Sequence, residues 1–481
     1  MRPSILELPR PHGWRARIDS HDRISHDTIA SLGFDWSRVA DPHAEPEFPL
    51  AVYWPETTED VVRVVREAGQ VGDRLIVRGN AHSSNRLSTG EHARVVVTTR
   101  LTGLVDLDAD AGVVTVRAGT LTADLDEYLG ARGLGLPVMG SHNHITVGGF
   151  ASVGGVGMTC HHHGLFADNV EAIEFVDWDG EVRVVSRAQD PVALQRLLCG
   201  TGQHGIITEL TLRVVRIDKD ATLLELRQES FRDFEGWLAA LDPLMHESTD
   251  VMLRGLWTDF RRPGGIRLRR GTVNRYEIVT SNMARRLRST LGWGLLHRVG
   301  YFSGRVPRPV EFALRQVAIA GSIRPPRYSP YRHAEHLLDQ VIDFSVGAPS
   351  RWLISWAPVR TWRELAREQT TLLVDQRERH RNLTFISLDI RPIRSGYLAQ
   401  ESDDDRFVEI LYFVGLKPDR MTPDVEGNLI RRLDEACASH DAYRYMHTLT
   451  VAEQPLRQRV DPNTYWATRA EATRPATEVM P

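Results

Sequence analysis

Between residues 48 and 215, short β-branched runs alternate densely with helical repeats, and this alternation limits the chain to a layered α+β architecture. EDVVRVVREAGQ (59–70) has apolar residues at helical spacing, and DRLIVRG (73–79) is a β-branched run stopped by a glycine. ARVVVTT (93–99) and GVVTVRAGT (112–120) read as further strands, and LTADLDEYLGARG (121–133) as a helix ending on Gly133. NVEAIEFVDWDGEVRVVS (169–186) is a hairpin turning on Asp-Gly, PVALQRLLCG (191–200) is helical, and GIITELTLRVV (205–215) is a strand. After about Arg216 the pattern changes. RWLISWAPV (351–359), TFISLDIRP (384–392) and EILYFVGL (409–416) are strand-like runs separated by helical stretches, which predicts a second domain carrying a large antiparallel sheet.

A chain of 481 residues is long for one core, so two packed domains are expected, with a polar arm over residues 1–45. The net charge of -4 argues against a chain built to attract nucleic acid or anionic membranes. No stretch of about 20 uncharged apolar residues is present to span a bilayer, and the first residues contain no apolar core of signal-peptide length. Cys160, Cys199 and Cys437 are far apart and odd in number, which speaks against a disulfide framework and for a reducing cytoplasm.

Four segments carry the chemistry. VRGNAHSSNRLSTG (77–90) follows a strand directly, and its small residues let successive backbone N–H groups form a nest for a pyrophosphate; an ordinary surface turn has the same look. LGLPVMGSHNHITVGGFASVGGVG (134–157), HHHGLFADNVEAIEFVDWDGE (161–181) and LLCGTGQHGIITELTLRVV (197–215) follow in order. Within the last of these, Gly200 to Gly205 satisfies G-x-G-x-x-G, but a helix precedes it and a strand follows. That order is the reverse of a dinucleotide fingerprint, which needs the helix amino terminus facing the phosphates.

Together, R-G-x-x-H-S, T-V-G-G, H-G-x-x-x-x-N-V and G-Q-x-G-I-I-T resemble the FAD-binding domain of the vanillyl-alcohol oxidase / p-cresol methylhydroxylase (PCMH-type) superfamily, and cytokinin dehydrogenases in particular. The resemblance covers residues 48–215 well and the closing strands ILYFVGL (410–416) and YRYMHTLT (443–450) more loosely. It implies a two-domain α+β fold: an FAD-binding domain over 46–216, a substrate (cap) domain over 217–431 built on a large antiparallel sheet flanked by helices, and a segment, 432–481, returning to the first domain. It also implies FAD, attached covalently through His82, since an imidazole largely unprotonated at neutral pH is a competent nucleophile. His142 and His144 stand where a second, cysteinyl link would need a cysteine, so one bond is expected. By the same resemblance Arg78, Gly79, Asn80, Ala81 and Ser83 wrap the pyrophosphate. Ser141, Thr146, Gly148, Gly149, Ser152 and Val156 approach the cofactor from the other side, Ile206 or Ile207 meets the adenine end, and Tyr445 lies near the flavin ring.

Three departures matter. Ser141 stands where cytokinin dehydrogenases have their aspartate base, Leu87 replaces the glutamine of the phosphate loop, and the closing G-Q segment is missing. For a substitute base, alternation in TFISLDIRP puts Ser387, Asp389 and Arg391 on one face, which suits either solvent or a lined cavity; there Asp389 would be base and Arg391 anion clamp. His142 and His144 are further candidates, or hydrogen-bonding loop residues. Cys160-His161-His162-His163 lacks the spacing of a full ligand set, so no metal is expected, and His163 matches a histidine of the family's H-G element. The expected activity is hydride transfer to flavin from a C–H beside an alcohol or amine of a small molecule, such as a tailoring step in secondary metabolism. Dioxygen or another acceptor would then reoxidise the flavin. A nonredox lyase or binding role on the same fold is the alternative, and a His-rich metalloenzyme a third reading.

Overall fold

The computed structural model describes residues 50–83, 88, 93–261, 267–303, 325–336, 350–398, 404–417 and 420–445. The arm expected over 1–45, Leu87 and the chain beyond Tyr445 lie outside the described residues.

Strands β1 (Ala51–Tyr53), β2 (Leu75–Arg78) and β3 (Arg94–Val97) form a parallel sheet in the order β1-β3-β2. Helix α1 (Thr58–Val71) makes the crossover from β1 to β2. The Thr57 hydroxyl accepts from the Asp60 N–H while the Asp60 carboxylate accepts from the Thr57 N–H, so the helix starts with two of its donors satisfied. Val61, Val64, Val65 and Ala68 form its buried stripe, and the first three pack with Val96, Val176 and Ile206.

Next come β4 (Leu104–Asp108), β5 (Val113–Arg117), α2 (Thr122–Gly130), β6 (Leu134–Gly135) and the short helices α3 (Val147–Ala151) and α4 (Cys160–His163). The hairpin β7 (Val170–Val176) to β8 (Val182–Ser186), α5 (Pro191–Leu197), β9 (Ile206–Arg213) and β10 (Val215–Arg216) follow. Five of these strands make an antiparallel sheet, β4-β5-β9-β7-β8, and β6 pairs with β10. Gly180 turns the hairpin at φ 78°, a backbone state that glycine adopts without penalty.

Between β10 and the next strand the chain changes sheet. The strands β11 (Leu223–Phe231), β12 (Met252–Arg261), β13 (Arg267–Val279), β14 (Tyr328–Pro330), β15 (Ser350–Pro358), β16 (Leu383–Arg394), β17 (Arg406–Leu416) and β18 (Tyr443–Arg444) form one antiparallel sheet. Its order is β14-β11-β13-β12-β16-β17-β15-β18. Helices α6 (Phe234–His246), α7 (Met283–Ser303), α8 (Tyr331–Glu335), α9 (Trp362–Asp375) and α10 (Pro423–Ser439) lie between them in sequence. One sheet face buries Leu388, Ile410 and Val414 under Trp237, Trp362 and Leu433 of α6, α9 and α10. The opposite face is covered as well: Ile354, Trp356, Ile393 and Leu411 share a core with Phe150, Phe166 and Leu210 of the amino-terminal part. The fold is thus α+β with a large antiparallel sheet, and the solvent-facing reading of Asp389 and Arg391 is overturned, since both are buried. Position 432 falls inside α10, and β18 pairs with β15, so the described part of the closing segment packs on the large sheet. Tyr445, just beyond, joins the core shared with the amino-terminal part. No helix among the described residues is long and apolar enough to cross a membrane.

The two parts are also clasped by a buried charge. Lys219, between β10 and β11, donates from Nζ to the Leu136 carbonyl at 2.9 Å and pairs with Glu335 at 2.8 Å and Asp126 at 3.1 Å. Asp126, Glu335 and His336 come together like a metal cluster, but the Lys219 ammonium supplies the cation for the two carboxylates. A Lys219→Ala substitution leaves two carboxylates buried without it, so a loss of about 3–5 kcal/mol is expected. Urea unfolding of the variant beside the parent measures this, and equal midpoints would show the clasp to be energetically idle.

Candidate active site

A deep cavity opens between the loops that follow β2 and precede α3, on one side, and the covered face of the large sheet on the other. With its mouth it encloses about 1430 Å³ of empty space.

On the loop side, backbones approach too closely for side chains. A Cβ on Gly79 would fall 2.3 Å from Thr146 Oγ1, and one on Gly148 would fall 2.8 Å from the Ala118 Cβ. Thr146 caps α3 by accepting from the Gly149 N–H, and Asn80 Nδ2 donates to the His144 carbonyl at 2.7 Å, tying the two loops together. Ala81 is held at φ 54° and Thr201 at φ 49°, a region that non-glycine residues occupy at a cost and that recurs at functional sites. The Thr201 N–H donates to the Ser152 carbonyl, while its Oγ1 is buried without a hydrogen-bond partner at the cavity wall. A buried hydroxyl of this kind suits a polar ligand.

The sheet side supplies Trp352 and Ile354 from β15, Arg391 from β16, Glu409 and Leu411 from β17, and Tyr445. Arg391 and Glu409 are directly opposed across the β16/β17 ladder, with Arg391 Nε 3.5 Å from Glu409 Oε2, too poorly aligned to hydrogen-bond. Arg391 Nη2 instead donates to Asp389 Oδ2 at 2.8 Å and to Ser141 Oγ at 2.9 Å. Arg254 of β12 donates to the same Asp389 oxygen at 2.6 Å. Burial pushes the Glu409 carboxyl up to about 7, Asp389 adds to the rise, and Arg391 and Arg254 restrain it. Burial also holds the Tyr445 phenol protonated.

Most of the expected site residues meet here. Gly79, Asn80, Ala81, His82, Ser83, Ser141, His142, Thr146, Gly148, Gly149, Ser152, Val156, Ile207, Arg391 and Tyr445 all line the cavity. His82 and His142 are ring neighbours at 5.5 Å, and the Trp352 ring stands edge-on to His142 at 6.1 Å. Four residues are placed elsewhere. Arg78 is buried behind the loop and donates to the Ser88 carbonyl, Ile206 packs with Val61 and Val176, and His144 contributes its carbonyl to Asn80. Asp389 lies behind the wall with one oxygen committed to two guanidiniums, which argues against its being the base. Glu409 was missed, although a glutamate heading the apolar run ILYFVGL is a signal that could have found it. Trp352 was missed too, despite period-two spacing with Ile354 and Trp356. Thr201, Gly202 and Gly205 of the reversed glycine motif also line the cavity. In the tetrad beginning at Cys160, His161 and His162 each hold the Asp250 carbonyl at 2.7 Å, and burial lowers His161 to about 4, so it is neutral.

Comparison with known proteins fits this geometry. Residues 49–186 match the family described as FAD binding domain, so this part of the chain is an FAD-binding domain. The chain is similar to D-arabinono-1,4-lactone oxidase of Eremothecium gossypii, 30% identical over 171 residues, which are 35% of this chain and 32% of that protein. It is similar to cytokinin dehydrogenase 5 of Arabidopsis thaliana, 29% identical over 223 residues, 45% of this chain and 41% of that one. An uncharacterised oxidoreductase of the fasciation locus of Rhodococcoides fascians is 28% identical over 208 residues, 43% of this chain and 46% of that one. The chain thus spans less than half the length of each of these relatives.

The cradle makes a direct prediction. Gly79→Ala forces a Cβ onto Thr146 Oγ1, at a cost of about 1–3 kcal/mol, and flavin occupancy should drop. The ratio of visible to ultraviolet absorbance reads this. Adding Thr146→Ala removes the clashing oxygen and should restore part of the flavin; unchanged occupancy in the single variant would mean that the cradle is not where the cofactor lies.

Proposed function

We propose that the chain is an FAD-dependent oxidoreductase that oxidises a C–H beside an alcohol or amine of a small molecule. The carrying observation is a cavity with FAD-binding loops on one wall and a buried arginine–carboxylate pair, Arg391 and Glu409, on the other. The division into an FAD-binding domain (46–216) and a cap domain (217–431) is part of the proposal, supported by the change of sheet between β10 and β11.

FAD bound in the cavity supplies the hydride acceptor. The remaining work falls to the chain. Glu409, in the cavity wall, takes the proton from the substrate hydroxyl or amine as the hydride leaves the adjacent carbon. Arg391, held in place by Ser141 and Asp389, faces the charge that develops on the substrate oxygen. Trp352, Ile354 and Leu411 line the same wall with apolar surface that keeps water away. Dioxygen or another acceptor closes the cycle. The relatives' names point to the compounds to try first: D-arabinono-1,4-lactone and cytokinins, screened by anaerobic bleaching of the flavin bands. We also place the covalent link at His82, on the cavity wall in the loop after β2, and the protein in a reducing compartment, given three buried thiols.

Acid precipitation should leave a yellow pellet from the parent protein, whereas His82→Ala should release its flavin to the supernatant. A yellow pellet from the variant would move the attachment site elsewhere. For Glu409 the active form is the carboxylate, and its carboxyl is raised to about 7, so kcat/KM should be low in acid and climb as pH passes about 7. Glu409→Gln should keep its flavin, lose about 10²–10⁴-fold in kcat/KM and lose that climb. A variant with parental rates would remove Glu409 from the mechanism.

A further inference from the structure

Helix α7 turns an apolar face to solvent. Met283, Leu287, Leu291 and Leu295 recur every fourth residue and are 84%, 57%, 65% and 66% exposed, against the burial such side chains normally seek. At 100° per residue they sweep an arc of about 120° on one side of the helix. The other side seats the helix on the large sheet: Ser289 and Trp293 are buried, and Trp293 Nε1 donates to Ser329 Oγ on β14 at 3.1 Å. Arginines border the exposed arc at both edges, Arg288 beyond Leu295 and Arg286 before Met283. Arg286 is anchored by hydrogen bonds to Ser281 Oγ and the Ala221 carbonyl, which fixes that edge. The surrounding sequence is one-signed. Between Glu277 and Glu311 stand Arg285, Arg286, Arg288, Arg298, Arg305 and Arg308, with no aspartate or glutamate. In a chain of net charge -4 this is a pronounced local excess of positive charge.

We propose that α7 is a membrane-surface anchor: it lies in the headgroup plane of an anionic bilayer, with its leucine arc in the acyl boundary and its arginines on the lipid phosphates. An exposed apolar arc edged by basic residues offers such a surface both apolar area to bury and charge to pair, and the two attractions add. A second copy of the chain fits the surface less well, because a two-fold contact through this arc would bring the Arg286 and Arg288 pairs of both copies together. The overall charge gave no hint of a membrane because the basic excess is local to one segment.

Co-sedimentation of the purified full chain with vesicles of phosphatidylglycerol and phosphatidylcholine tests this, with pure phosphatidylcholine vesicles as the comparison. Binding is expected to the anionic vesicles, to weaken with salt, to fall at least about tenfold in a Leu287→Gln/Leu291→Gln variant, and to fall about fivefold in Arg288→Ala. These positions are exposed, so melting temperature and flavin content should match the parent and separate a lost surface from a lost fold. Three results would overturn the proposal: equal binding to both vesicle types, a concentration-dependent dimer that the leucine variant abolishes, or no binding by the parent at all.

Discussion

Arg391 is the interaction on which the site depends. Its guanidinium is buried, and it joins a carboxylate on its own strand, a carboxylate on the next strand and a hydroxyl from the FAD-binding loops. A buried guanidinium is tolerable only when its desolvation is offset, and Asp389 and Glu409 beside it provide that offset. Arg254 shares Asp389, so two cations face two carboxylates in a region shut off from water. The arrangement is asymmetric in a useful way. Asp389 Oδ2 accepts from both arginines and is therefore fixed, whereas Glu409 has one misaligned contact with one of them and lines the cavity. The carboxylate that is poorly satisfied is the one that faces the cavity.

Burying that cluster requires the sheet to be covered on both faces. Helices cover one; on the other, Trp356, Ile393 and Leu411 pack with Phe150, Phe166 and Leu210 in one continuous core. The clasp formed by Lys219, and the grip of Asp168 on Ser395 Oγ and the Tyr397 N–H, hold the parts at further points. With the walls fixed from both sides, the strained residues Ala81 and Thr201 are held where the loops need them, and the glycines Gly79 and Gly148 allow the loops to close on each other.

Much of this was legible in the sequence, and the exceptions have physical reasons. The alternation before residue 216 and the long strands after it announce the α+β organisation, because hydrophobic period and turn glycines are local properties. Gly79 to Ser83 and Thr146 to Gly149 are equally readable, since close backbone approach demands small residues whatever the ligand. Side-chain direction was harder. Ile206 and Ile207 differ by one position on a strand and therefore face opposite ways, and only the register of β9 decides which reaches the cavity. Asp389 stands out in the sequence because its strand alternates polar with apolar residues, and Glu409 does not. Buried on both faces, β17 shows no alternation, and Glu409 within it reads as the start of an apolar run.

Ser141 and Glu409 are two sides of one substitution. In the cytokinin dehydrogenases that the loops resemble, an aspartate stands at the Ser141 position and acts as the base. Here that position contacts Arg391 Nη2 directly. An aspartate at 141 would put a third carboxylate against a cluster that already balances two carboxylates with two guanidiniums, and the excess charge would be buried. A serine accepts the same hydrogen bond without the charge. The base then belongs on the sheet wall, where Glu409 already is, with its carboxyl raised by burial close to the range in which a general base works best. With the base proposed on the sheet rather than the loop, the substrate hydrogen would face a different side of the cavity, so the relatives' substrates do not carry over to this chain by motif alone.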